Sequence, residues 1–283
     1  VKSGKDILIM TPDYKDEDFN SIKDNFIITI DDIESVNKLS NLAKQFRAHV
    51  YVNTGMNRFG VYPVSLEGFI DEVGNTSNNL KIEGIYTHLH NTNSKRYSLN
   101  QIDIFRKSVK KYINGPYIIH LLNSNGFIKY NKYCNFDNTI RVGGILFGID
   151  GSDKGYNEVY QFKAVPINAY KIEKGKNVGY GSFYKARKNT LIGVLDFGYI
   201  DKFYCPATIF DNKLLSLAGR IYYRSQYKRS IDYDGKPVNI LGSVNMNYTL
   251  IDMEGLPENP VLNVRISPMA ADSSTPKKYL VKS

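Results

Sequence analysis

The sequence predicts an α/β fold for the first half of the chain and a mostly-β domain for the second. Strand-like and helix-like apolar patterns alternate up to about Asp150, which argues for parallel strands covered by helices. Beyond that point the texture changes to short β-rich runs separated by turn signals. A third observation concerns position: polar residues gather at the C-terminal ends of the apolar runs, where barrels of alternating strands and helices place their active sites.

Taken in order, apolar runs occur at Asp6–Met10, Phe26–Ile30, His49–Asn53, Ile82–Leu89, Tyr117–Asn123 and Thr139–Gly148. The spacing of Ile33, Val36, Leu39, Ala43 and Phe46 predicts a helix between the second and third runs, and Leu99, Ile102, Phe105, Val109 and Ile113 predict another between the fourth and fifth. Six strand candidates fall short of the eight of a closed barrel, so either the sheet is open or two strands are absent. In the second half, "NAYKIEKGKNVGYG" and "TLIGVLDFGYI" read as strands with turns, and Asp234-Gly235 in "YDGKPVNILG" reads as a hairpin turn. The boundary is expected within Gly151–Tyr160, giving a first domain over residues 1–155 and a β domain over 156–283.

A chain of 283 residues with 42% hydrophobic content has ample material for a buried core. It contains no apolar run of about 18 residues and no basic-then-apolar signal segment, so neither membrane nor export is expected. The net charge of +9 is carried by lysines spread singly, without a basic block interleaved with aromatics, which argues against nucleic acid. Cys134 and Cys205 show no metal or redox spacing, so no metal site is expected and a reducing cytoplasm is the expected location. The chain begins at Val1 rather than Met, which suggests a truncated or processed chain.

Candidate functional residues lie at the strand ends. Asn53, Thr54, Met56 and Arg58 follow the third run, His88 ends the fourth, Asn123 and Ser124 end the fifth, and Arg141, Gly143 and Gly144 sit in the sixth. Together they offer two cations, an imidazole, a hydroxyl and exposable backbone amides, a set suited to an anionic cofactor carrying a phosphate. Read singly, each has a structural alternative: the glycines relieve crowding in a strand, and Arg58 is a surface ion-pair residue.

Several segments together resemble the alanine racemase family, in matching order. "NTGMNRFG" is similar to the family's "DTGMxRxG", "THLHN" to "THF", "NSNG" to "NSA", "RVGGILFG" to "RxGIxxYG", "VGYGSFYKA" to "VGYGxTY", "FGYID" to "GYADG", and "KPVNILGSVNMNYTLID" to "xxxxGRxSMDxxxxD". The resemblance implies a (β/α)8 barrel lacking its first two strands, followed by a C-terminal mostly-β domain. It implies a pyridoxal 5'-phosphate-dependent isomerase that interconverts L- and D-alanine, for D-alanine biosynthesis, through a Schiff base with two bases; serine or another small amino acid is the alternative substrate. By the same resemblance Tyr180 is the base on one face of the substrate, acting in the partner subunit of a homodimer with shared sites, and His88 and Arg141 form its surrounding network. Arg141 also faces the cofactor's pyridine nitrogen. Asn123, Ser124, Gly143 and Gly144 bind the phosphate, Arg58 reaches the cofactor and the substrate carboxylate, Met246 offers its backbone amide to that carboxylate, and Tyr199 lines the entrance.

The chain also departs from the family pattern. The "VKAxAYGHG" segment bearing the cofactor lysine has no counterpart, and Val1-Lys2 is too close to "DILIM" to be it. The expectation is that residues 1–283 alone are inactive, either as part of a longer racemase or as a non-catalytic homologue that binds without turnover. Tyr51 stands where the family has a lysine that can be carbamylated, and Asn53 replaces an Asp, which leaves the orientation of Arg58 to other residues. A tyrosine that contacts the phosphate near the family's C-terminus has no clear counterpart, Arg265 and Ser267 being the nearest substitutes, and the 204–237 region is longer and more polar than the family's.

Overall fold

The computed structural model describes residues 4–149, 155–182, 184–201, 203, 230–266, 268, 276 and 278. Lys2, Cys205, Ser267 and the 204–229 part of the long polar region lie outside the described residues. The chain divides into two compact units, Val1–Asn157 and Glu158–Ser283.

The first unit carries a parallel sheet of five strands in sequence order: β1 (Ile7–Leu8), β2 (Phe26–Ile30), β3 (Phe46–Tyr51), β4 (Leu80–Tyr86) and β5 (Ile118–His120). Helices α1 (Asp16–Ser21), α2 (Ile33–Ser40), α3 (Leu66–Thr76) and α4 (Lys95–Val109) follow β1 to β4 in turn, and α5 (Ser124–Tyr130) follows β5. Adjacent strands in sequence order, each followed by a helix, form part of an α/β barrel. Alternation along each strand separates two faces. Ile28, Ile30, Ala48, Val50, Ile85 and Ile119 join Val36, Leu39, Phe69, Val73, Ile102 and Phe105 of the helices in one apolar core. Thr29, His49, Tyr51, Tyr86 and His120, also buried, occupy the alternate positions. In β4 an extra residue, Glu83, shifts the register so that Gly84 pairs with His49.

Two expectations are corrected here. The first helix-like pattern stops early: α2 ends at Ser40, and Phe46 opens β3 instead of closing a helix. The Asn79 side-chain amide collects the carbonyls of Leu39, Leu42 and Lys44 at 2.9, 2.7 and 3.0 Å, which ties the chain into a loop where the periodicity alone would continue the helix. The sixth run, Thr139–Gly148, is not a strand. Thr139 makes one isolated parallel bridge to His120, and Gly144–Phe147 forms a short 3-10 turn. The amides of Gly143 and Ile145 point to Ser124 Oγ, at 3.0 and 3.4 Å, so they are not available to a sheet ladder.

The second unit is built of β6 (Phe162–Ala164), β7 (Asn168–Ile172), β8 (Asn177–Val178), β9 (Tyr184–Lys185), β10 (Thr190–Leu195), β11 (Ile231–Tyr233), β12 (Lys236–Pro237), β13 (Thr249–Asp252) and β14 (Leu262–Val264). They form antiparallel sheets ordered β13-β10-β7, β12-β11-β14-β6 and β8-β9. The β11–β12 hairpin turns at Asp234 and Gly235, both with positive φ (47° and 76°), as the Asp-Gly pair predicts. Leu195, Phe197, Ile231, Ile251, Leu262 and Val264 are among the residues that fill its core.

Removing the Asn79 amide strands carbonyls at the end of α2, and an unmet buried acceptor costs about 1–3 kcal/mol. Asn79→Ala is therefore expected to lower the stability of the first unit by about that amount, read as a lower urea midpoint with an unchanged slope.

Candidate active site

The polar face of the parallel sheet converges on Arg141. Its guanidinium, largely buried, donates to His120 Nδ1 at 2.5 Å, to Thr87 O at 2.8 Å, to His88 Nδ1 at 3.3 Å and to Leu121 O at 3.4 Å. It also lies 5.2 Å from the Tyr86 ring centroid. A guanidinium can only donate, so the facing nitrogens of both histidines must be acceptors. His120 then carries its proton on Nε2 and donates it to His49 Nδ1, 2.9 Å away. His49 in turn carries its proton on Nε2, which is buried without a hydrogen-bond partner among the described residues. His88 likewise keeps Nε2–H as the donor it presents beyond the network. The tautomers of three imidazoles thus follow from one cation.

The electrostatics agree. Burial, reinforced by Arg141, holds His88 down to about 4 and His120 down to about 2. His49 is held at about 4, chiefly by burial. Burial lowers Arg141 itself to about 10, which leaves it charged at neutral pH. No carboxylate among the described residues pairs with it. Space is equally constrained, because a Cβ at Gly84 would sit 2.7 Å from the His49 ring. Tyr86 stacks on His120 at 4.8 Å and anchors its hydroxyl on Thr29 Oγ1 at 2.8 Å. No lysine joins this network among the described residues.

Beside Arg141 lies a cradle of small groups. Asn123 caps α5 by accepting the Gly126 amide at 2.8 Å, which fixes Ser124 at the first turn. Ser124 Oγ receives the amides of Gly143 and Ile145, and Gly144 adds no side chain above it. Behind His88, Gln101 of α4 is fully enclosed. Its amide donates to Thr54 Oγ1 and His88 O at 3.0 and 3.1 Å, and its oxygen receives the His90 amide at 3.2 Å. Thr54 is buried on Thr87 at 2.8 Å, so it is a support for the loop and not a group presented to solvent. Asn53 accepts the amides of Gly55 and Asn57, each at 3.1 Å, and so shapes the loop that carries Met56 and Arg58. Met56 touches Tyr51 Oη through its sulfur at 3.7 Å. Arg58 is exposed, with its guanidinium 4.3 Å above the Phe59 ring.

Of the sequence candidates in the first unit, the structure joins His88 and Arg141 through one hydrogen bond, and Ser124 with Gly143 through another. Arg58 is linked to them through aromatic rings. His49, His120, Thr87 and Gln101 were not singled out from the sequence. The signal available for them was a polar residue repeated at alternate strand positions, which in a half-exposed strand would simply mark the solvent face.

Within the second unit, Tyr199 and Met246 lie on adjoining segments. The Tyr199 amide donates to Asn245 O at 3.0 Å and the Ile200 amide to Met246 O at 3.1 Å. The approach is so close that a Cβ at Gly198 would be 2.2 Å from Asn245 O. Tyr180 follows β8 in a turn beside Gly242, whose Cβ would meet Val178 O at 2.8 Å. Tyr180 and Met246 are 77% and 67% exposed, so these side chains are presented to solvent. Arg265 donates its amide to Ser230 O at 2.8 Å, next to β14.

A partial α/β barrel with a buried arginine and a Ser-Gly cradle at its strand ends, followed in sequence by an antiparallel β unit, is the combination set against known proteins. The families described as "Alanine racemase, N-terminal domain" and "Alanine racemase, C-terminal domain" match residues 2–151 and 159–267. The chain belongs to the alanine racemase family. It is 31% identical over 194 residues to alanine racemase 2 of Clostridium acetobutylicum, covering 64% of this chain and 49% of that protein. It is also 28% identical over 277 residues to an amino-acid racemase of Enterococcus faecalis, covering 89% and 35%. The chain spans about half the length of the curated relatives it matches, 49% and 52% for the first two. Among solved structures, alanine racemase from Bacillus anthracis with bound L-Ala-P superposes with a TM-score of 0.69 at 20% identity, over 92% of this chain and 66% of that one. The biosynthetic alanine racemase of Pseudomonas aeruginosa does so with a TM-score of 0.70 at 16% identity, over 93% and 70%. The family depends on pyridoxal phosphate.

The depressed histidine pKa values have a stability consequence. In the unfolded chain these imidazoles bind protons near pH 6.5, whereas in the folded unit His49 and His88 resist until about pH 4 and His120 until about pH 2. The unfolded state therefore gains more protons as pH falls from 6.5 toward 4, and the fold is expected to lose stability across that window. Urea midpoints at pH 7 and pH 5 check this, and His88→Gln should flatten the slope.

Proposed function

We propose that this chain carries the cofactor and substrate determinants of a pyridoxal phosphate-dependent racemase acting on alanine or another small amino acid. The observation that carries this reading is a buried guanidinium held only by neutral acceptors, beside a hydroxyl and amide cradle at neighbouring strand ends. A permanent cation with no carboxylate partner among the described residues, adjacent to groups able to hold a phosphate, suits a ring bearing both an acceptor nitrogen and a phosphate ester. When bound, pyridoxal phosphate supplies the electron-accepting ring that stabilises the charge left at the substrate α-carbon.

The roles of the chain's own residues follow from their atoms. Ser124, Asn123 and the Gly143 and Gly144 backbone would line the phosphate, with the Ser124 hydroxyl as donor and the Gly143 amide, donated to Ser124 Oγ, holding that hydroxyl in place. Arg141 presents N–H donors to the ring nitrogen, and its fixed charge disfavours a proton there. Arg58 attracts the substrate carboxylate, with the Met246 amide as a second donor. Tyr180 Oη removes or returns the α-proton on one face, and His88 Nε2–H stabilises the phenolate that this requires. Tyr199 borders the entrance. The exposure of Tyr180 and Met246 supports a homodimer in which each completes the partner's site, and the active species would be cytoplasmic.

A second reading, binding without turnover, is favoured by the absence of a lysine from the Arg141 network among the described residues. Borohydride reduction of the chain mixed with pyridoxal phosphate, followed by peptide mapping, separates the two. A pyridoxyl adduct on one lysine together with racemisation supports catalysis by residues 1–283. Reversible binding with neither supports a chain that binds and needs a lysine supplied by a further segment.

In a racemising form, Tyr180→Phe is expected to lower turnover by roughly 10²–10⁴ while leaving cofactor absorbance intact. Near-normal turnover would remove Tyr180 from the mechanism. Ser124→Ala is expected to weaken pyridoxal phosphate binding about tenfold, measured by absorbance titration, through loss of one hydrogen bond to a charged group.

A further inference from the structure

The two arginines of the site rest on one continuous set of rings. Arg58 lies over Phe59 at 4.3 Å and Arg141 lies 5.2 Å from Tyr86. Between these two rings stands Tyr51, edge-on to Phe59 at 4.9 Å and to Tyr86 at 5.0 Å. Tyr51 and Tyr86 are paired in register on β3 and β4, so the parallel sheet fixes this spacing. Tyr51 is 1% exposed, and Gly60, at φ +114°, packs so tightly that a Cβ there would be 2.5 Å from its ring. Neither guanidinium has a carboxylate partner among the described residues.

We propose that Tyr51 is a positioning residue of the anion site: its buried ring, wedged between Phe59 and Tyr86, sets the place of Arg58 relative to Arg141, so that both cations face one doubly anionic ligand. An aromatic face attracts a guanidinium through its quadrupole without neutralising it, which leaves the full charge for the ligand. A carboxylate in the same place would hold Arg58 more firmly but would cancel part of that charge. The Tyr51 hydroxyl contributes little to the arrangement, because its partner is the weakly accepting sulfur of Met56 at 3.7 Å. The ring, not the hydroxyl, is the operative part. This assignment rests on the reading of the site as one that takes pyridoxal phosphate and an amino-acid carboxylate.

The test compares the unmutated chain with Tyr51→Phe, Tyr51→Leu and Phe59→Leu by two measurements. The first is the ring-current shift of the Arg58 δ-methylene protons in the ligand-free protein. It should be retained in Tyr51→Phe and lost in both leucine variants. The second is titration with pyridoxal phosphate, whose dissociation constant should stay within about twofold for Tyr51→Phe and rise about tenfold in the leucine variants, the scale of a lost cation–π contact. Tyr51→Met, which keeps an apolar side chain without a ring, serves if Tyr51→Leu fails to fold, and Phe59→Leu, which removes the ring under Arg58, marks the fully lost shift. An Arg58 shift and an affinity that survive removal of the Tyr51 ring overturn the proposal, as does a Tyr51→Phe variant as impaired as Tyr51→Leu. Failure of the unmutated chain to bind pyridoxal phosphate, with an Arg58 shift that still depends on the Tyr51 ring, overturns the functional reading instead.

Discussion

Burying the Arg141 guanidinium among neutral acceptors is the constraint to which the first unit is fitted. A cation taken out of water must be repaid by several well-placed acceptors, and here they are two imidazole nitrogens and two carbonyls of the strand-end segments. Because arginine can only donate, each histidine in contact is fixed as an acceptor, and the constraint passes from His120 to His49 along the sheet interior. Gly84 is bare because the His49 ring occupies the space of its side chain. The β4 irregularity at Glu83 brings that glycine into register with His49.

The two faces of the sheet divide the labour. The helix-facing side is aliphatic and sets register through close packing, whereas the opposite side carries hydroxyls, imidazoles and phenols that satisfy one another. A polar interior of this kind tolerates substitution poorly, since one missing partner leaves a buried group unmet. The His49 Nε2–H finds no partner among the described residues, so there the network ends on an unsatisfied donor at its far side from Arg141. Charge is thereby concentrated at the strand ends. His49, His88 and His120 stay neutral, Arg141 stays charged, and the cradle at Ser124 offers a hydroxyl held in place by two amides.

The second unit reaches a similar end by different means. Its antiparallel strands hold loops together by backbone hydrogen bonds and close glycine contacts, and these present Tyr180 and Met246 on the surface while Tyr199 packs part-buried against the core. Such loops carry reactive groups on a rigid scaffold while their own side chains remain accessible.

Much of this was legible in the residues. Alternating apolar runs marked β1 to β5, the Asp234-Gly235 pair marked its hairpin, and strand-end motifs in the family's order marked Arg141, His88 and Ser124, because each depends on local periodicity or on a short pattern of residues. The end of α2 was not legible, since it depends on an Asn79 side chain from a later part of the chain. Nor was the turn at Gly144–Phe147, where a hydroxyl twenty residues earlier takes the amides that a strand would have used. The sequence by itself determined where β1 to β5 and the Asp234-Gly235 hairpin fall and which residue types gather at the strand ends. Only the tertiary structure decided that Phe59 lies between Arg58 and Tyr51 and that His120 links Arg141 to His49, because those contacts join strands and loops whose register is set by packing across the whole sheet.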